Sequence, residues 1–186
     1  MQFQARYFRK LHRKIAPVLF LPLLLSAVTG VLFRLGRNWW GLPNEVTGWM
    51  MAIHQGEYLG SPLVPIYVLL VGLGLLGLVV SGLSMLKVKR QLTQHPSKPN
   101  LRWIHHSVAA IAFLPLLVSA TTGIAYRLGQ TWFGLPLEQT AILLQLHQGS
   151  YLGEQLKVFY VLLVGLGLVT LLITGIQMTG IFRRST

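Results

Sequence analysis

Four apolar runs, each about 20 residues long, dominate the chain, and polar positions are largely confined to the segments between them. The runs lie near 15–35, 63–86, 107–127 and 158–181. At a rise of ~1.5 Å per residue, a helix of this length spans the ~30 Å hydrocarbon layer of a bilayer. The first run is too long for a cleaved signal peptide and recurs later as an ordinary span. The pattern predicts an all-α, integral membrane four-helix bundle with no substantial soluble domain.

The pattern also repeats without gaps. HQGEYLG at 54–60 returns as HQGSYLG at 147–153, and LPLLLSAVTG at 21–30 returns at 114–123 as LPLLVSATTG. We therefore divide the chain into two transmembrane hairpins in tandem. Each hairpin has an even number of spans, so both have the same orientation and their pseudo-two-fold axis runs along the membrane normal. The predicted parts are repeat 1 (1–92), a cytoplasmic linker (93–100) and repeat 2 (101–186).

Composition and charge fit this architecture. Hydrophobic residues make up 53% of the chain and charged residues only 11%. The net charge of +12 could indicate a nucleic-acid partner, but the cations gather at the two termini and in the central loop. All acids lie in the other two loops, at Glu45, Glu57, Glu138 and Glu154. By the positive-inside rule the termini are cytoplasmic, which predicts a multi-pass protein of the bacterial inner membrane (or thylakoid) that binds no nucleic acid.

The loops on the outer face carry their own structural signals. Residues 1–14 are expected to be helical and continuous with the first span, which is expected to end near Gly36. NEVTGWMMAIHQG is then typical of a short helix at the interface, with Asn44 as a candidate N-cap and Gly56 as a stop signal. Its equivalent in repeat 2 is PLEQTAILLQLHQG. Trp39, Trp40 and Trp49 nearby fit an interfacial aromatic belt.

Histidine is the residue type with chemistry that the duplication repeats. The pairs are His12 with His105 at the cytoplasmic side, and His54 with His147 at the outer side. Ionisable groups at membrane depth are costly, so they usually have a partner or a function. The absence of cysteine excludes disulfides, iron–sulfur clusters and thiolate ligands.

The two remaining histidines do not follow the repeat. His106 corresponds to Arg13, so the duplication selects His105 over its neighbour. The two adjacent side chains point ~100° apart on a helix, so only one of them is suited to an inward-facing role. His95 lies in the polar linker and has no counterpart in the other repeat.

Three interpretations of the paired histidines remain open at this point. They could cap helix ends at the interface as purely structural groups. They could ligate haem as two bis-imidazole pairs, one in each leaflet, which leaves the iron no open position and suits electron transfer. They could hold a non-haem metal, although such sites usually recruit carboxylates or thiolates as well.

Repeated arginines and polar residues accompany the histidines. Arg34 with Arg127, and Arg9 with Arg102, could snorkel to lipid headgroups or pair with haem propionates. Four residues are candidates to orient the imidazoles: Tyr58, Tyr151, Gln55 and Gln148. Hydroxyls within the spans, Ser26, Ser119, Thr29 and Thr122, are expected to bond the backbone of their own helix.

Several of these motifs occur together in a known family. LHR at 11–13, the LPLLLSAVTG segment, the later HQGEYLG and a glycine-rich span that ends SGLSM resemble the PepSY-associated transmembrane helix family. The resemblance implies haem held by transmembrane histidines, as in iron-uptake reductases. By position it implies His12, His54, His105 and His147 as ligands. The chain departs from the family in that its outer loops leave no room for a PepSY domain, and in that WIHH replaces LHR in the second copy.

The resulting hypothesis is a membrane cytochrome with two haems b. His12 and His105 ligate the inner haem and His54 and His147 the outer one, and Arg34, Arg127, Arg9 and Arg102 assist in binding. Electrons pass from a cytoplasmic donor to an outer-face acceptor such as ferric iron, so the protein could be a transmembrane ferric reductase. The alternative is a non-enzymatic subunit or assembly factor of a respiratory or photosynthetic membrane complex, in which the histidines hold lipid or a chlorophyll-like pigment.

Overall fold

The structure, a computed structural model, describes residues 2–86 and 100–180, with only the backbone of 2–5. This part of the chain is helical and contains no strand, which confirms the all-α prediction. The helices are α1 (Gln2–Asn38), α2 (Asn44–Gln55), α3 (Val64–Leu83), α4 (Leu101–Thr131), α5 (Leu137–Gln148) and α6 (Leu156–Thr179). His95, the repeat boundary near 92 and the basic residues of the linker and C terminus lie outside the described residues.

Four helices are long and apolar enough to cross a membrane, namely α1 (from Arg6), α3, α4 and α6. Their most apolar windows have mean hydropathies of 2.0 to 2.5, and at most 28% of any window is buried within the chain. Apolar side chains that the protein itself does not cover need another apolar environment. The chain is therefore a multi-pass membrane protein whose outward helix faces contact lipid.

The four spans form a closed ring. Each hairpin joins its own two helices, α1 with α3 and α4 with α6, and the hairpins meet where α3 packs on α4 and α1 on α6. The diagonal partners, α1 with α4 and α3 with α6, face each other across the centre. The short helices follow the same symmetry, because α2 packs on α1 and α5 packs on α4.

Glycine makes the contact between the hairpins possible. A Cβ built on Gly72 of α3 would lie 2.5 Å from the side chain of Ile124 on α4. At the matching contact, a Cβ on Gly165 of α6 would lie 2.2 Å from Val31 on α1. Close approach at small residues is how helices pack in a bilayer, where no hydrophobic effect drives them together. The glycine-rich segments of the two repeats therefore allow the four spans to pack closely around the centre of the bundle.

The ends of the short helices differ in one respect from expectation. Pro43 is the N-cap of α2, and Asn44 is already helical, so the prediction of Asn44 as N-cap was wrong. The side chain of Asn44 instead accepts a hydrogen bond from Arg37. Gly56 does end α2, as expected, with φ of 76°. A Cβ there would meet the ring of Tyr67 at 2.3 Å, so Gly56 also brings α3 close.

The first span extends two residues beyond the predicted end, to Asn38. Gly36 does not stop the helix, since it serves the packing of α2 instead. A Cβ built on Gly36 would lie 3.0 Å from Leu42 and 3.3 Å from Thr47, which is 1% exposed. This contact holds α2 against α1 and thereby sets the position of the histidine at the end of α2.

Candidate functional site

The outer pair of histidines meets near the pseudo-two-fold axis. His54 occupies the last turn of α2 and His147 the last turn of α5. Their ring centroids are 6.2 Å apart, and the ring planes make an angle of 64°. With metal–imidazole bonds of about 2 Å, two rings that share one ion have their centroids about 6 Å apart. The separation of this pair therefore suits a single metal ion between the rings.

Each outer ring is oriented by a backbone carbonyl of the adjacent span. His54 Nδ1 lies 2.8 Å from the carbonyl oxygen of Ser26, and His147 Nδ1 lies 2.8 Å from that of Ser119. A carbonyl oxygen can only accept, so Nδ1 carries the hydrogen in both rings. The lone pair of each neutral imidazole is then on Nε2, where a metal would bind.

A glycine lies against the Cε1–Nδ1 edge of each outer ring. A Cβ built on Gly30 would be 3.0 Å from Cε1 and Nδ1 of His54, and the same distances relate Gly123 to His147. Any larger residue at either position would push on the imidazole. These glycines are the last residues of the repeated LPLLLSAVTG segment. The segment therefore leaves the space that the two imidazoles occupy.

A cavity of about 600 Å³ is lined by both outer histidines. Pockets for organic cofactors and drug-sized ligands are typically about 300–1,000 Å³. The lining comes from both repeats in matched positions, and both imidazoles, Arg34, Arg127 and Tyr67 belong to it. The cavity is therefore large enough for a macrocyclic ligand between the two rings.

Two buried polar atoms in this cavity have no hydrogen-bond partner. Arg34 is only 8% exposed and donates through Nη2 to Gln148 Oε1 of the other repeat, but its Nε donates to nothing. The hydroxyl of Tyr67 is likewise buried without a partner. Unsatisfied buried donors are rare in native proteins, and a bound ligand is one of their common explanations.

The inner histidines lie on the spanning helices themselves. His12 on α1 and His105 on α4 line one apolar cavity of about 80 Å³. Their Nδ1 atoms lie 2.8 Å from Ser81 Oγ and from Thr174 Oγ1. Both hydroxyls donate to carbonyls of their own helix at 2.6 Å, so they accept from Nδ1–H and leave Nε2 free.

The inner rings also lie beside glycines, at longer distances. A Cβ on Gly82 would be 3.5 Å from His12 Cε1, and one on Gly175 would be 3.4 Å from His105 Cε1. His106 does not line the inner cavity. The contacts of His105 therefore match those of His12, as the repeat requires.

The two cavities are close to each other. Leu75, Leu168 and Leu116 line both of them. One layer of apolar side chains therefore separates the outer site from the inner one.

The four arginines of the sequence hypothesis separate into two groups. Arg34 and Arg127 line the outer cavity, Arg34 being buried and Arg127 half-buried. Arg9 and Arg102 are exposed and line neither of the two cavities. Contact of Arg9 or Arg102 with a ligand at the inner side stays a prediction.

Burial keeps the outer imidazoles neutral. It lowers the pKa of His54 to about 4, and neighbouring His147 lowers it further, against the opposing effect of the bond to Ser26. The pKa of His147 is also lowered, first by burial and also by nearby Arg34, although its bond to Ser119 opposes this. Neutral imidazole is the form that binds metals.

Sequence reasoning missed the groups that orient the rings. Tyr58 and Tyr151 are 56% and 58% exposed and pack edge-on against Tyr67 and Tyr160, so their predicted role in orienting the imidazoles was wrong. The prediction for Ser26 and Ser119 was also wrong, because their hydroxyls reach the carbonyl oxygens of His54 at 3.4 Å and of His147 at 3.3 Å rather than their own helices. Thr29 and Thr122 do bond to the backbone of their own helices, which confirms that part of the prediction. The repeat places a hydroxyl at both Ser81 and Thr174, which marks these two positions but does not say which histidine each one meets.

The side chains around the histidines limit which metals they could bind. Within residues 2–86 and 100–180, no three His, Cys, Asp or Glu side chains cluster so as to hold a metal ion. Two imidazoles alone suit a metal that brings its other donors with it, as a porphyrin does. No family model, curated protein or solved structure matches this chain. Its function is therefore argued from the residues and geometry of the site.

Proposed function

We propose that this chain is a b-type membrane cytochrome that carries electrons across a bacterial membrane. The observation that carries the proposal is the outer pair, with ring centroids 6.2 Å apart and both Nδ1 atoms bonded to carbonyls. Haem bound between the two rings would supply one-electron redox chemistry. His54 and His147 would hold the haem through their Nε2 atoms and would leave no open position for oxygen, which favours electron transfer over oxygen chemistry.

The residues around the outer pair fit a haem in several independent ways. The cavity of about 600 Å³ has an apolar majority, which suits a porphyrin ring. Gly30 and Gly123 hold the two imidazoles from behind. Arg34 offers an unused donor, which a propionate could accept. The neutral state of the histidines removes proton competition for their Nε2 lone pairs.

The inner pair would hold a second haem by the same atoms. His12 and His105 each have Nδ1 bonded to a hydroxyl and Nε2 free, as ligation requires. Their cavity is about 80 Å³, so its apolar walls would have to separate to admit a macrocycle. The shared layer of Leu75, Leu116 and Leu168 would keep water out of the path between the two sites.

The direction of transfer follows from the charge distribution of the sequence. With its basic termini and central loop in the cytoplasm, the inner pair faces a cytoplasmic electron donor. The outer pair then faces an acceptor such as ferric iron at the other side of the membrane.

One observation favours a second candidate, a non-enzymatic subunit or assembly factor of a larger membrane complex. The outer surface carries large exposed aromatic side chains in both repeats, among them Trp49 at 74% and Phe133 at 73%. Such residues anchor a protein at the interface or contact a partner. In this candidate the cavity would hold lipid or a chlorophyll-like pigment, and extraction of pigment from the purified protein distinguishes it from haem.

The test is a haem count combined with spectroscopy of the purified protein. We expect two haems per chain, with the paired α and β bands of six-coordinate haem in the reduced-minus-oxidised spectrum. His54→Ala and His105→Ala should each remove one haem, whereas His106→Ala, the adjacent control, should keep both. Absence of iron porphyrin, or full haem content in His54→Ala, would contradict the proposal.

A further inference from the structure

The outer cavity is symmetric in shape but not in its hydrogen bonding. Within the described residues, only Arg34 and Tyr67 have a buried side-chain nitrogen or oxygen without a partner. Both belong to repeat 1, although Arg127 and Tyr160 occupy the equivalent positions of repeat 2 and line the same cavity. The unmet hydrogen-bonding capacity of the cavity therefore lies on one side of the pseudo-two-fold axis.

The guanidinium of Arg34 is held in place by one hydrogen bond and has a further donor available for an anion. The side chain is 8% exposed, and Nη2 donates to Gln148, which comes from the other repeat and braces it across the axis. Nε remains unpaired. A buried charged donor without an acceptor is costly, and a carboxylate can accept from the guanidinium in a bidentate manner.

Tyr67 supplies a second donor on the same side. It lies in the first turn of α3, the helix that packs beside α1, and its ring lies over Gly56 at the end of α2. Its hydroxyl is buried, and neighbouring Tyr58 approaches it without completing a hydrogen bond. A phenol and a guanidinium both donate to an oxyanion, so the two unpaired groups match the same ligand chemistry.

Two neighbouring acids do not cancel this preference. Glu57 lines the cavity, but its side chain is exposed, so water and salt screen its charge. Glu154, whose charge acts on Arg34, is 80% exposed and already pairs with Lys157. Arg127, on the opposite side, is half-buried and more open to water than Arg34. The desolvated cation of the cavity is therefore Arg34.

We infer that the outer cavity contains a one-sided carboxylate subsite, formed by Arg34 and Tyr67 and braced by Gln148, which fixes the orientation of a planar carboxylate-bearing ligand. The inference rests on the proposed haem function and adds to it that a symmetric pair of histidines receives its ligand in one orientation. The carboxylates of the ligand face repeat 1, and the apolar edge faces repeat 2.

The test compares haem with haem dimethyl ester, in which the carboxylates are blocked. Both are titrated into apoprotein that carries His12→Ala, so that only the outer site ligates fully. We expect haem to bind at least about tenfold more tightly than the ester. Arg34→Gln should reduce this ratio to about threefold or less, and Arg34→Lys should retain part of it. Arg127→Gln, the matched change in the other repeat, should alter the ratio less than twofold.

The ratio of the two affinities separates binding of carboxylates from damage to the fold. Equal affinities in the parent protein, or equal loss of both ligands in Arg34→Gln, would overturn the subsite while leaving the haem proposal intact. An Arg127→Gln effect as large as that of Arg34→Gln would overturn its one-sidedness. Failure of the parent to bind either porphyrin would overturn both the subsite and the proposed function.

Discussion

The outer and inner histidine pairs use the same ligand chemistry in two different environments. The outer cavity has a volume of about 600 Å³ and contains buried Arg34, whereas the inner cavity has about 80 Å³ and an apolar lining apart from its histidines. The outer and inner histidine sites form two layers of the bundle. The duplication relates the two repeats to each other, but it does not relate the outer layer to the inner one. Each layer is therefore nearly symmetric within itself, while the layers are free to differ from one another.

The layers also differ in how the imidazoles are held. The outer Nδ1 atoms bond to main-chain carbonyls, but the inner ones bond to the hydroxyls of Ser81 and Thr174. A Cβ built on Gly30 or Gly123 would lie 3.0 Å from the outer rings, whereas a Cβ on the glycines of the inner site would lie 3.4 Å or more from the inner rings. The outer pair is thus fixed by the backbone and the inner pair by side chains.

The difference in charge bears on the direction of electron flow. A fixed cation near a haem stabilises the reduced state, whose net charge is more negative by one unit. Arg34 and Arg127 lie at the outer cavity, and the residues that line the inner one include no arginine or lysine. With haem at both sites as proposed, the outer site would have the higher potential, so electrons would pass outward.

The largest expected effect tests how the rings are held. Ser81→Ala removes the acceptor of His12 Nδ1 and should lower haem affinity at the inner site about 10–100-fold, the usual cost of losing the group that orients a ligating histidine. The outer counterpart, Ser26→Ala, leaves the carbonyl that accepts from His54 and should change outer affinity less than about threefold. Titration of apoprotein with haem, in variants that retain one site each, measures both.

An equal loss in the two serine variants would break this part of the comparison. It would mean that the hydroxyl of Ser26, which lies 3.2 Å from His54 Nδ1, matters as much as the carbonyl. Thr174→Val provides an independent check at the inner site, because it removes the acceptor of His105 and keeps the volume of the side chain.

A smaller effect is expected from the glycines behind the rings. Gly30→Ala places a Cβ 3.0 Å from two atoms of His54, so the ring must shift, and outer haem affinity should fall about tenfold, in line with overpacking costs of ~1–3 kcal/mol. Gly82→Ala places its Cβ 3.5 Å from His12, an ordinary contact, and should be nearly neutral. Both changes raise helix propensity equally, so the pair isolates the contact with the ring. A greater loss of haem affinity in Gly82→Ala than in Gly30→Ala would mean that the inner imidazoles, not the outer ones, are packed more tightly against their glycines.

The fold could be predicted from the sequence because its signals are local. The four spans follow from the apolar runs, and the stop at Gly56 follows from a residue type that tolerates positive φ. Asn44 failed as an N-cap because Pro43 already supplies the extended backbone at that position, with ψ of 156°. Preference for a cap residue is weak, and the preceding residue can decide the boundary.

The candidate site could be predicted only in part. The duplication singled out the four histidines, because a repeat preserves residue type at matched positions. It could not identify Ser81 as the partner of His12, since the two are 69 residues apart and meet only through the packing of α3 on α1. The difference in cavity volume was equally hidden, because it depends on how far the spans stand apart at each depth.

The smallest expected effect is the response of the outer site to acid. His54 lies on α2, outside the four spans, and its pKa is lowered to about 4, chiefly by burial. Protonation competes with iron for the imidazole, so a histidine with the ordinary pKa of about 6.5 would lose roughly tenfold in affinity between pH 7.5 and pH 5.5. With the lowered pKa the ring is still neutral at pH 5.5, and outer haem affinity should change less than twofold between pH 7.5 and pH 5.5. Haem titrations of the His12→Ala protein across this range measure the response. A steady loss of haem affinity that begins near pH 6.5 would mean that water reaches the outer imidazoles. The outer pair, fixed by backbone carbonyls, would then be no better protected from water than an exposed histidine.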